Sequence, residues 1–135
     1  MMRNIKFRAW DRFAKEMVFA KTIDFGTNGA ECIVDSDGIN GDVGGEWDLE
    51  QYTGLHDKNG KEIYEGDIVE IIVEHNVYYP SNDAPKFTPI KKVCPVKVRP
   101  GIMTVGKWIL CEFKQDKIQV IGNVHENPEL LEKNK

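Results

Sequence analysis

At 135 residues, with 41% apolar and 30% charged side chains and a formal net charge of −4, the chain falls within ordinary single-domain size. No run approaches the roughly 20 apolar residues that a membrane helix needs, and Met1-Met2-Arg3-Asn4-Ile5 leads into an alternating strand with no signal-peptide core. Cys32, Cys94 and Cys111 are odd in number, far apart and without a C-x-x-C pair, which predicts three buried thiols in a reduced, cytoplasmic compartment and argues against zinc.

In chain order the elements read mostly as strands. Ile5, Phe7 and Ala9 alternate with Lys6, Arg8 and Trp10 at period two. Residues 11–15 separate this strand from Met17-Val18-Phe19-Ala20, so a hairpin is expected. Residues 23–25 and 32–34 are short strand candidates around Gly26-Thr27-Asn28-Gly29. Residues 35–46, with four glycines, read as a loop, and residues 47–53 resume an extended pattern. Asp57-Lys58-Asn59-Gly60 then reads as a type I turn with a G1 bulge: the Asp carboxylate accepts local N–H groups and Gly60 takes positive φ. Glu65-Gly66-Asp67 is a second turn, and the β-branched run at residues 68–73 predicts a strand covered on both faces. Residues 77–80 and 85–89 form a Pro-punctuated excursion. Residues 93–98 predict an edge strand, because Pro95 lacks a ladder donor. Residues 103–105 and 108–113 are strands around Gly106-Lys107, and residues 118–124 close the sheet. One short helix follows, with Asn127 as N-cap, Pro128 at the first helical position and Glu129 at the positive end of the dipole.

Three segments carry a resemblance. They are Ile5-Lys6-Phe7-Arg8-Ala9-Trp10-Asp11, the run QYTGLHDKNGKEIYEGDIV at residues 51–69, and Val120-Ile121-Gly122-Asn123-Val124-His125-Glu126-Asn127-Pro128-Glu129-Leu130-Leu131. Together they resemble the YopX family of phage and prophage proteins, whose opening KFRAWD and closing IGNIYENPELL they match; His125 stands where the family usually shows Tyr. The resemblance implies an all-β fold of coiled antiparallel sheets, with an SH3-type small barrel in the C-terminal part and one short C-terminal helix. It also implies a bacterial host cell and no established reaction. The expected division is an N-terminal hairpin region at 1–49 packed on a C-terminal barrel at 50–135.

Charge is blocked along the chain. Residues 1–23 hold six basic and two acidic residues, residues 24–83 fifteen acidic against two lysines, and residues 84–111 six basic and no acidic. Lys86, Lys91, Lys92, Lys97, Arg99 and Lys107 are therefore candidates for an anionic-partner patch. The simpler account pairs them with the acidic middle, within one chain or between subunits. If residues 93–98 are extended, Lys97 and Arg99 share a side with Val93 and Pro95, away from Val96 and Val98. Tyr78 and Tyr79, next to Pro80, are the candidate contact site outside the signature. Tyr52 and Tyr64 read as cross-strand packing.

Reactive motifs are sparse. Asp35, Asp37 and Glu46 fit positions one, three and twelve of a calcium loop, but Ile39 and Asn40 stand at positions five and six. His56, His75 and His125 are isolated. Asp57, Glu62, Glu65 and Asp67 cluster at turns, where carboxylates bond backbone N–H groups; Asp67 is expected to cap its own turn. The sequence thus points to a phage accessory protein, a non-catalytic protein-interaction module that binds a protein partner or itself. No cofactor, metal or small-molecule substrate is indicated. The alternatives are a nucleic-acid-binding barrel using 84–111 and an unrecognised metal-dependent enzyme.

Overall fold

The computed structural model describes residues 4–77 and 86–132. The chain falls into two compact units, Met1–Gly54 and Leu55–Lys135. Both are built from antiparallel strands.

The first unit contains β1 (Phe7–Asp11), β2 (Glu16–Gly26), β3 (Gly29–Asp35), β4 (Asn40–Asp42) and most of β5 (Trp47–His56), in the order β4-β3-β2-β1-β5. The Asp11 carboxylate accepts the N–H groups of Phe13 and Ala14, and Lys15 at φ 59° completes the turn into β2. That is the expected first hairpin. Residues 17–25 form one long strand, with irregular register at residues 20–22 and 24–25 in its pairing with β3. The glycine-rich loop at 35–46 holds a strand where none was expected, because residues 40–42 pair with Cys32, Ile33 and Val34. Gly41 lies against the Trp47 ring, where an added Cβ would overlap the indole. Ala9, Ile33 and Trp47 form the buried core, flanked by Val18, Ala20, Ile23, Val43 and Leu49. On the opposite face of β1, Arg8 stands across from Glu50, with Nε 2.9 Å from Oε1 and both residues buried.

The second unit takes the end of β5, then β6 (Glu62–Tyr64), β7 (Asp67–Val77), β8 (Lys86–Arg99), β9 (Ile102–Val105), β10 (Trp108–Ile109), β11 (Ile118–Asn123) and α1 (Glu129–Glu132). Its sheet runs β10-β9-β8-β7-β11. Ile63, Val69, Ile71, Val96, Val105, Leu110 and Ile118 fill the core. The expected SH3-type barrel is not closed among the described residues: β10 and β11 end the sheet without pairing to each other. β10 stops after two residues, and a 3-10 turn at Leu110–Glu112 carries Leu110 into the core, so the strand expected to reach residue 113 ends early. No helix among the described residues is long and apolar enough to cross a membrane.

β8 is not the edge strand expected; it lies between β7 and β9. Its register explains how it tolerates proline. Residues 86–95 pair with β7 and residues 96–99 with β9, so the partner changes at Pro95. Gly106 N–H donates to Pro95 C=O on the β9 side. Odd-numbered residues of β8 thus direct their backbone groups away from β7. Both Pro89 and Pro95 are odd-numbered, so neither removes a donor from the β7 ladder.

The Asp57 turn forms as read and reaches further. Its Oδ1 accepts the N–H groups of Asn59 and Lys61 at 2.9 Å each, and its Oδ2 accepts Val120 N–H at 2.9 Å. Lys58 N–H donates to Ile118 C=O, and Gln115 Nε2 donates to Asp57 C=O. The turn therefore satisfies the outer side of β11 next to that strand's bulge at residues 120–122. Gly60 sits at φ +80° with open space around the position of a Cβ. Gly60→Val should cost at least about 1–2 kcal/mol through backbone strain alone. A lowered melting temperature in a thermal unfolding scan is expected; an unchanged one would remove the turn assignment.

Two further expectations are corrected. Asn127 does not cap α1 with its side chain; its Oδ1 turns back to accept Asn123 N–H, beside Gly122. Only Cys94 of the three cysteines is buried; Cys32 is half-buried and Cys111 exposed. Burial pushes the Cys94 thiol up from its ordinary value, against a smaller opposite influence from Lys92.

Candidate partner-binding groove

The register of β8 fixes where its cations point. With no slip against β7 or β9, Lys91, Val93, Pro95, Lys97 and Arg99 share one face, and Lys92, Cys94, Val96 and Val98 the other. Buried Cys94 and Val96 mark the second as the core face. Lys97 and Arg99 accordingly group with Val93 and Pro95, as the extended reading required.

The six candidate cations do not form one patch. The backbone of Lys86 pairs with Val77, and its side chain is outside the description. Lys91 Nζ lies 3.7 Å from Glu70, an exposed contact of the kind expected between the basic and acidic blocks. Such a pair contributes little. Lys92 projects from the opposite face. Lys107 Nζ stands 5.1 Å from the centroid of the Trp108 ring. Lys97 and Arg99 remain together, exposed and without an ion pair among the described residues. Tyr78 and Tyr79 lie outside the described residues.

A groove of about 440 Å³ opens beside Lys97 and Arg99, between Glu65, Gly66 and Val124 on one side and residues 95–99 on the other. Gly66, at φ +86°, builds its floor: its N–H donates 2.9 Å to Val96 C=O, and its own C=O accepts Val124 N–H at 2.8 Å. Positive φ there lets the chain turn sharply enough to place both groups. The groove is part apolar, from Pro95, Val96, Val98 and Val124, and part charged, with Glu65 facing the same space as the two cations. Such a site can hold an anionic, partly apolar ligand by contact and charge.

Three of the carboxylates singled out in the sequence, Asp35, Asp57 and Asp67, serve other ends. Asp35 Oδ1 accepts the N–H groups of Asp37 and Ile39, so the acidic loop spends its first would-be calcium ligand on its own backbone. Asp67 Oδ2 accepts Tyr64 N–H at 2.8 Å, which is the expected cap. Burial, the largest single influence on Asp57, pushes its carboxyl up, but the N–H groups of Val120, Lys61 and Asn59 and the charge of Lys61 outweigh it, and the net shift is downward. No three His, Cys, Asp or Glu side chains gather as a metal site among the described residues.

Glu65, Gly66, Val98 and Val124 belong to the groove, although the sequence marked Glu65 and Gly66 only as a turn and none of the four as part of a binding site. A usable signal was present. Pro100 and Gly101, the latter at φ +77°, form the two-residue turn of the β8–β9 hairpin. That turn alone fixes which residues of the strand face β9.

No curated protein matches the chain. Among solved structures it is similar to protein EF1440 from Enterococcus faecalis, with 30% identity over 96% of this chain and 99% of that one and a TM-score of 0.64. The family model of the YopX protein matches residues 6–132, which take in both units and every element from β1 to α1, and the chain therefore belongs to the YopX family.

Proposed function

We propose that this YopX-family chain is a phage or prophage accessory protein that acts as a non-catalytic protein-interaction module in the bacterial cytoplasm. The observation that carries this reading is the pair Lys97 and Arg99, exposed on one face beside a preformed groove. The scatter of the other cations over two faces favours a compact protein contact over a continuous phosphate-tracking surface. Phage origin rests on the family alone.

Two measurements test the proposal. Affinity capture from phage-infected cells should recover a protein with the wild-type chain and lose it with Lys97→Glu/Arg99→Glu, while circular dichroism shows both chains folded. Filter binding should show no retention of DNA or RNA at low salt, where phosphate contacts are strongest. Retention that falls steeply with salt would replace the protein-partner reading with nucleic-acid binding.

A further inference from the structure

We infer that the groove takes an extended acidic peptide, which adds as a short antiparallel strand against residues 97–99 of β8. This rests on the interaction reading above and names its ligand class. The backbone carries the argument. Arg99 and Ile102 close the hairpin across Pro100 and Gly101, so Arg99 and Lys97 direct their N–H and C=O groups to β9. Val96 and Val98 then direct theirs the other way, into the groove. The bond from Gly66 N–H to Val96 C=O agrees with this assignment. At Gly66 the chain turns away, so β7 does not continue beside Val98. The N–H and C=O of Val98 face the groove with no partner among the described residues.

Two further observations choose the occupant. In an antiparallel pairing, one ligand residue exchanges both hydrogen bonds with Val98, and its two neighbours stand across from Lys97 and Arg99. Acidic side chains there meet two exposed cations. The central side chain lies on the face of Val96 and Val98, the latter 38% exposed, and so should be apolar. The ligand is thus acidic–apolar–acidic in an extended conformation. The far side of β8 before the β9 pairing, unpaired among the described residues, differs: Pro89 interrupts its donors and Pro95, which also lacks one, already gives its C=O to Gly106 N–H. Strand addition is obstructed there, whereas beside Val98 the groove borders backbone groups left unpaired among the described residues, with α1 packed on β8 nearby.

The test uses the full chain and three probes, read by amide chemical shifts and fluorescence anisotropy. The first is the capped peptide Thr-Glu-Val-Glu-Thr, the second is the same peptide N-methylated at Val, and the third is oligothymidylate. The first peptide should shift Lys97, Val98 and Arg99 and slow hydrogen exchange at Val98. N-methylation should weaken binding roughly five- to tenfold, by removing one backbone hydrogen bond. Lys97→Glu/Arg99→Glu should weaken it roughly tenfold at low salt. Equal binding of both peptides at these residues would overturn strand addition and leave the charged-patch reading standing. Peptide shifts confined elsewhere, or no peptide binding, would overturn the inference, while the capture experiment still judges the broader reading. Oligothymidylate binding here without peptide binding would overturn both.

Discussion

Glu50→Ala should lower the unfolding free energy by about 3–5 kcal/mol, the largest effect expected of any single substitution here. The change leaves Arg8, only 7% exposed, without the carboxylate whose Oε1 lies 2.9 Å from its Nε. The buried guanidinium loses the carboxylate that stands directly across from it, and the fold bears the cost. Arg8→Met combined with Glu50→Leu should recover most of the loss, because an apolar pair of similar volume has no desolvation penalty. Urea unfolding of the single and double variants at neutral pH measures both terms. A loss under about 1 kcal/mol for Glu50→Ala would mean that Arg8 reaches water or another anion.

Asp57→Ala should cost about 2–4 kcal/mol, since three backbone donors lose their acceptor together and the carboxylate they surround is 1% exposed. The loss should be read at both ends: the turn at residues 57–60 loosens, and Val120 N–H on β11 is orphaned. Hydrogen exchange should therefore accelerate at Val120, 63 residues away in sequence. Exchange unchanged at Val120 would show that the long-range bond contributes nothing. The same carboxylate links stability to pH. Its folded pKa lies below the ordinary 3.8, so the unfolded chain binds the proton more tightly. The contribution is fully present above the unfolded value and is lost as pH falls through the folded one. The stability gap between wild type and Asp57→Asn should hold steady above about pH 5 and shrink in more acid solution. A gap that widens on acidification would reverse the assigned sign.

What was legible in the sequence followed local rules. The Asp57 and Asp67 turns were readable because an Asp that accepts N–H groups two to four residues away leaves its mark within one window. The strand at residues 68–73 was readable because all its residues but Glu70 are β-branched, although only the face of Val69 and Ile71 is well buried and the face of Glu70 and Ile72 is half-covered, not closed as expected. What failed was non-local. Nothing near Asp57 announces that its second oxygen serves Val120. Glycines at 38, 41, 44 and 45 looked like a loop, although Gly41 is there because the Trp47 ring leaves no space for a side chain. Pro95 suggested an edge strand because the rule counts missing donors without asking which way they face. In the groove, Lys97 and Arg99 were visible as charge; Gly66 and Val98 contribute backbone, which composition does not report.

The paired prolines of β8 have a consequence for behaviour in crowded solution. A β-rich chain with a long unprotected border is exposed to sheet stacking between copies and to fibre growth. Pro89 and Pro95, six residues apart with Lys91 between them, break that border into lengths too short to template another copy. Replacing both with Thr should leave the monomer's ladder to β7 intact and shorten the lag before aggregates form on concentration.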